Sequence, residues 1–218
     1  MNRRRRALCA LGLLAPALSR AQVPSPPPAK EPERFRGQIA RAAASSIELK
    51  TRDGRTVKLG TGGNVTIFNL SKTTFGEVDF GVYVGAISEK MGDHIYSPIV
   101  RDSLSWLHRG FELRIIDEKL RGIAVGHVKW DRSPNSVMTH GWVDDLEERV
   151  ISIKYGPTEE EECDVEVGRN IPILKMTLAD RSLIRSGARV FVGAEKNGRG
   201  EYEATFLFAS RDGITPPL

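Results

Sequence analysis

Ser46-Ile47-Glu48-Leu49-Lys50-Thr51-Arg52-Asp53-Gly54-Arg55-Thr56-Val57-Lys58-Leu59 decides the fold class. Ile47 and Leu49 alternate with polar residues, and so do Val57 and Leu59. A period of two puts one side of an extended chain against a core. Between the two runs, Asp53-Gly54 supplies the positive φ of a tight hairpin turn. Strand, turn and strand are therefore predicted. Outward from this hairpin, Gln38-Ile39-Ala40 and Val65-Thr66-Ile67 have the same short extended character. Gly81 to Ala86 begins a longer strand, with 95–100 as its expected antiparallel partner.

The same order recurs about one hundred residues later. Gly37 and Ile47-Glu48-Leu49-Lys50 correspond to Gly141 and Ile151-Ser152-Ile153-Lys154. Val57 to Leu59 matches Val165 to Val167, and Val65 to Phe68 matches Ile171 to Leu174. Gly81 to Ala86 matches Gly187 to Ala194 with a short insertion, and a turn (Gly92-Asp93, Asn197-Gly198) precedes each last strand. The expectation is a mainly β protein of two tandem small OB-like or SH3-like barrel units. Closure removes the exposed sheet edges of so short a unit. The limits drawn are 1–21 for a signal peptide, 22–34 for a linker, 35–100 and 136–218 for the two barrels, and 101–135 for a short, partly helical bridge. Within that bridge, 104–111 reads either as a helical face or as the approach to a strand at 111–116, and Glu118 to Ile123 as a helical turn.

The amino-terminal segment carries its own signal. Arg3 to Arg6 form a basic n-region, Ala7 to Leu18 an apolar run, and Ser19-Arg20-Ala21 a small-x-small cleavage site before Gln22. This is the pattern of a secretory signal peptide, and Arg5-Arg6 keeps the twin-arginine route open beside the general one. The apolar run is shorter than the roughly 20 residues of a membrane span. Val23 to Pro32 is rich in proline and favours an extended tether. A periplasmic or secreted location follows, with no integral membrane segment.

Removing the signal changes the charge argument. The chain has 32 Lys and Arg against 28 Asp and Glu. Five of the arginines lie in residues 1–21 with no acid among them, so the mature chain holds 27 basic residues against 28 acidic. Polyanion binding needs a clear basic excess on one face, so nucleic acid is not expected as a partner. Cys9 leaves with the signal, and Cys163 is then a lone thiol. It reads most simply as a small buried hydrophobe, since neighbouring Asp164 disfavours the thiolate.

Gly126-His127-Val128-Lys129-Trp130-Asp131 and Pro134-Asn135-Ser136-Val137-Met138-Thr139 form the strongest local feature, with Arg211-Asp212-Gly213-Ile214-Thr215-Pro216-Pro217 at the end. These segments resemble a family of uncharacterised exported bacterial proteins with OB-like β repeats, grouped as a domain of unknown function. The resemblance spans roughly residues 35–218 and implies the fold and the compartment. Some members of that family are labelled permeases of metal transporters; a permease needs several spans, and this sequence offers none.

His127, Trp130, Asp131, Met138 and His140 are the candidate ligand-binding residues. His127, Asp131 and His140, with Cys163, are the weaker metal candidates, because imidazole, carboxylate and thiolate are common ligands. Their spacing matches no closed zinc pattern. The simpler reading has Trp130 filling the gap between barrels, with its indole N–H and His127 tied to backbone carbonyls. His94 and His108 read as surface residues. Glu159 to Glu162 read as a solvated hairpin tip, and Gly60-Thr61-Gly62-Gly63 as a loop that lacks the Lys-Ser/Thr of a phosphate cradle. No nucleophile elbow or zinc-protease motif occurs, and no cofactor is expected. The functional expectation is a non-catalytic binding or assembly module of the cell envelope, partnered by an envelope protein or a small ligand. A metal-handling accessory protein and an enzyme with an unrecognised site are the alternatives.

Overall fold

The computed structural model describes residues 32–62, 65–92, 107–158 and 161–216. The signal segment, most of the linker, His94 and the strand expected at 95–100 lie outside them. Thirteen strands run in chain order: β1 Glu33–Ala42, β2 Ser46–Thr51, β3 Thr56–Gly60, β4 Thr66–Lys72, β5 Tyr83–Lys90, β6 Leu107–Ile116, β7 Gly126–Lys129, β8 Ser136–Glu147, β9 Val150–Lys154, β10 Glu162–Glu166, β11 Ile173–Leu178, β12 Arg189–Lys196 and β13 Tyr202–Ala209. The only helical pieces among the described residues are three short 3-10 turns. None is long and apolar enough to cross a membrane.

The decisive hairpin forms as read. Leu49 faces Val57 and Ile47 faces Leu59 across β2 and β3. Gly54 takes a φ of 86°, and the Asp53 carboxylate accepts from Thr51 and from Arg55 Nε at 2.7 Å, which braces the turn.

The strands close into barrels, but the barrels do not follow the sequential division. β1, β2 and β3 are completed by β12 and β13, through β1–β12, β12–β13 and a short parallel β13–β3 contact. β8, β9 and β10 are completed by β5 and β6, closed by the parallel β10–β6 contact. Each barrel thus takes three strands from one half of the chain and two from the other. The limits 35–100 and 136–218 therefore mark halves of the sequence and not barrels. The physical reason is the antiparallel β4–β11 pair, which lies between them and holds each half across the other. Two smaller corrections follow. Glu33 and Arg34, placed in the linker, already pair with Ala194 and Gly193. Among its described residues the bridge is mainly strand, β6 and β7; the strand reading of 111–116 holds and extends back to Leu107, and Glu118–Leu120 forms the one 3-10 turn there.

The two barrels are built alike. Phe68 faces Leu178 and Leu174 faces Lys72, with Leu70 opposite Met176 at the centre. A step of 106 residues exchanges these pairs, so the β4–β11 pair sits on a pseudo-two-fold axis. The first strand of each barrel shifts register at matching places, Ile39/Arg41 and Val143/Asp145. Two sequence matches move by one pleat. Val57 faces Leu49 and Cys163 faces Ile153, so Cys163, not Val165, is the counterpart of Val57. Val84 faces Gly141 and Val190 faces Gly37, which removes the inserted residues from the other match. A slip of two keeps every side chain on its face, so the hydrophobic pattern does not register it.

Each barrel has its own core. One gathers Ile39, Ile47, Leu49, Leu59, Val190, Val192 and Leu207. The other gathers Val84, Ala86, Leu113, Val143, Ile151, Ile153, Cys163 and Val165. A third cluster lies on the shared face outside both barrels, with Phe68, Leu70, Tyr83, Ile116, Leu174, Met176, Phe191 and Phe208. The segment between β6 and β8 covers it through Leu120, Ile123 and Trp130, and Tyr83 donates to the Ile123 carbonyl at 2.6 Å.

Gly37 and Gly141 set the coiling of the long first strands. A Cβ at Gly37 would collide with the carbonyl of Lys50, and one at Gly141 with that of Lys154. Backbone cannot move aside as a side-chain tip does. Gly37→Ala and Gly141→Ala are each expected to lower stability by about 1–3 kcal/mol, read from urea unfolding midpoints. Unchanged midpoints would contradict this packing.

Candidate functional site

The predicted site residues do not converge. On β8, Thr139 points into the barrel while Met138 and His140 point to the outer face, as period two requires. His127 faces Thr139 across β7 and β8, and Gly126 faces His140. His127 and His140 therefore lie on opposite sides of the sheet. Asp131 leaves both, forming a two-pronged ion pair with Arg36 of β1 at 2.7 Å on each arm. Burial pushes the Asp131 carboxyl up, but the Arg36 pair outweighs it and holds the group below the ordinary carboxylate range. Among the described residues no group of three or more His, Cys, Asp or Glu is placed to hold a metal ion.

His127 instead helps to fill the mouth of the second barrel. Its Nδ1 meets the Thr139 hydroxyl at 2.9 Å, and its ring stacks on Tyr155 at 5.3 Å. His108 meets it edge-on at 5.9 Å and bonds the Ser88 hydroxyl through Nδ1 at 3.2 Å. His108 is thus half-buried, not a surface residue, because a bulge in β6 keeps it on the inward face. Cys163 lies beneath, 4% exposed. Burial pushes its thiol up to about 12, against the pull of the Thr139 and Ser88 hydroxyls. Such a thiol stays protonated and unreactive at neutral pH.

Trp130 and Asp131 reach across to the other barrel. Trp130 meets Phe191 edge-on at 5.8 Å and carries the Arg34 guanidinium at 4.2 Å on its face. The turn that aims them is pinned by the buried Ser136 hydroxyl, which receives the Ser133 N–H at 2.9 Å. Met138 is buried opposite Ile87. His140 packs over Gly85, and burial, reinforced by Arg114, lowers it to about 4. At the hairpin tip, Glu161 accepts from the Thr158 hydroxyl at 2.9 Å, while Glu159 and Glu160 lie outside the described residues.

A different group forms a site. β6 pairs with β10 as far as Arg109 and takes β11 as partner from Leu113 onward. In the notch where it changes partner, a cleft of about 320 Å³ is lined by Ile87, Phe111, Glu112, Arg132, Asn170, Ile171 and Pro172. Phe111 is the residue left over where the β5–β6 register shifts, since Ile87 faces Glu112 and Ser88 faces Gly110. Bulges of this kind re-aim side chains. The Arg132 guanidinium lies over the Phe111 ring at 4.1 Å.

Glu112 is the unusual member. It is 2% exposed and ion-paired with Arg114, itself 2% exposed. Its second oxygen, Oε2, has no hydrogen-bond partner, and neither has Arg114 Nη2. Burial pushes the Glu112 carboxyl up against the opposing pull of Arg114, Arg36 and Arg132. Arg114 also lies over Phe208 at 4.8 Å, inside the aromatic cluster between the barrels.

Sequence reading missed this group. Phe111-Glu112-Leu113-Arg114-Ile115-Ile116 alternates as a half-exposed strand would. One signal lay in the second half. Leu113 pairs with Ile173 where Leu207 pairs with Ile67, so Glu112 and Arg114 correspond to Phe206 and Phe208. Phenylalanines at those places mark a covered face. Two further clefts on the first barrel share Gln38 and Arg189 and are rimmed by Lys50, Arg52 and Arg185. Comparison with family models, curated proteins and solved structures returned no match to the chain.

The histidines give a pH prediction. Burial holds His108, to which His127 and Lys90 add, and His140 at about 4. An unfolded histidine takes up a proton near 6.5. At these groups the unfolded chain therefore binds more protons between those values, and the histidines' contribution to stability falls as pH drops from about 6.5 to 4, then levels. In His108→Gln the stability lost over this window is expected to shrink, measured by urea unfolding at each pH. Identical pH slopes in the two proteins would contradict the burial of His108.

Proposed function

We propose that the chain is an exported binding module of the bacterial cell envelope, a duplicated β unit that holds a small ligand in the cleft at Glu112. The observation that carries the reading is the buried, unpartnered Oε2 of Glu112, a residue that lines the cleft. A buried acceptor left unmade costs about 1–3 kcal/mol, and buried polar groups are nearly always paired in folded proteins. A ligand that donates to Oε2 recovers that cost on binding. Apolar walls with a few polar groups are the ordinary make-up of small-molecule sites. The basic n-region, apolar run and small-x-small site support export, with Gln22 as the mature amino terminus and the envelope as the compartment.

Small fragments titrated against the protein, followed through isoleucine methyl resonances, test the cleft. Hits are expected to shift Ile87 and Ile171 and to weaken at least tenfold in Asn170→Trp, where an exposed residue is enlarged into the opening. Hits that leave both methyls unmoved, or that ignore Asn170→Trp, would contradict the assignment.

A further inference from the structure

We infer that the cleft takes a small monocarboxylate with an apolar body and a neutral hydrogen-bond donor, such as a hydroxyl or amide N–H. This rests on the cleft being the binding site and goes on to name what fits it.

The charges nearby set the sign. Arg36 is matched by Asp131, and Arg114 by Glu112. Among the described residues Arg132 has no carboxylate partner; it is exposed and lies on Phe111. The cleft therefore carries one unmatched positive charge at its rim. Guanidinium and carboxylate pair through charge-assisted hydrogen bonds, often two at once. A single anionic group on the ligand answers Arg132.

The wall sets the second requirement. Glu112 is engaged on one oxygen by Arg114 Nε, and its other oxygen is buried without a hydrogen-bond partner. A carboxylate oxygen left without a partner accepts; it asks for a donor. A cationic donor would enter a place already surrounded by Arg36, Arg114 and Arg132, whose fields all reach Glu112. A neutral donor meets no such repulsion. Ile87, Phe111, Ile171 and Pro172 then leave space for a hydrocarbon or ring between the two polar ends. The volume of about 320 Å³ is at the small end of ordinary ligand sites.

A series of related probes separates these requirements by isothermal titration. Phenyllactate carries the carboxylate, ring and hydroxyl; N-acetylphenylalanine replaces the hydroxyl with an amide N–H. 3-Phenylpropionate lacks the donor, N-acetylphenylalanine amide lacks the charge, and phenylalanine has a cationic donor. One of the first two is expected to bind best, and which one tells hydroxyl from amide. Loss of the donor, the charge or the neutrality of the donor should each weaken binding about tenfold, as one hydrogen bond or ion pair does. Arg132→Ala, an exposed change that spares the fold, should abolish the preference for acid over amide and keep the preference for phenyllactate over 3-phenylpropionate. Glu112→Gln should do the reverse; if the bare Arg114 prevents folding, the probe series and Arg132→Ala decide alone. Equal binding of acid and amide, or of phenyllactate and 3-phenylpropionate, overturns the inference. If these probes fail while other fragments shift the Ile87 and Ile171 methyls, this ligand class falls and the binding site stands. If no compound moves those methyls, both fall.

Discussion

The fold depends on the closure of each barrel by strands from the other half of the chain. β3 and β10 are edges until a parallel strand covers them, and that strand is β13 for one and β6 for the other. An open edge of paired donors and acceptors invites association with other chains. Closure across the halves removes both edges together. It also ties the stability of one barrel to that of its partner, because neither cycle can open without releasing strands of both sequence halves. The β4–β11 pair is the hinge of this exchange, with Leu70 and Met176 buried at its centre.

The outer faces of the two barrels then meet as one apolar layer, and matching positions face each other near the axis. Arg114 lies over Phe208, its own counterpart. A perfectly symmetric pair would place two phenylalanines or two arginines there. The chain instead carries phenylalanines on one side and the Glu112–Arg114 pair on the other, so the aromatic cluster packs while a polar group is kept under cover. A buried ion pair is weak evidence for stability, since well-packed hydrophobic residues often serve as well or better. The counterpart positions show that hydrophobic residues do serve in this fold. The asymmetry places the buried ion pair on one barrel only, beside the notch where β6 changes partner.

How much of this was legible follows from what each pattern encodes. Period two and Asp53-Gly54 are local, and they identified the hairpin and the β class. The correspondence of Gly37 with Gly141 was also visible, because both glycines answer to the same backbone collision. Which half closes which barrel was not legible: pairing between β1 and β12 joins residues far apart in sequence, and the same strands could close within one half by the same local rules. Two readings of the bridge stayed open for a related reason. Phe111 to Ile116 alternates as a strand does, but the bulge at Phe111 breaks the period towards Leu107, so 104–111 also fits a helical face. The His127, Asp131 and His140 set does not converge, since the pairing of His127 with Thr139 sends His140 to the opposite face and Asp131 turns to Arg36. Trp130 packs edge-on against Phe191 in the cluster between the barrels.

The exchange of strands between halves is open to direct measurement in the intact chain. Gln38 and Arg189 are register partners on β1 and β12, and cysteines placed at both, with Cys163 buried elsewhere, report on that pairing under mild oxidation. Interleaved barrels predict an intramolecular disulfide in a monomeric chain and a raised unfolding midpoint. Thiols that stay reduced, or that link only between chains, would contradict it.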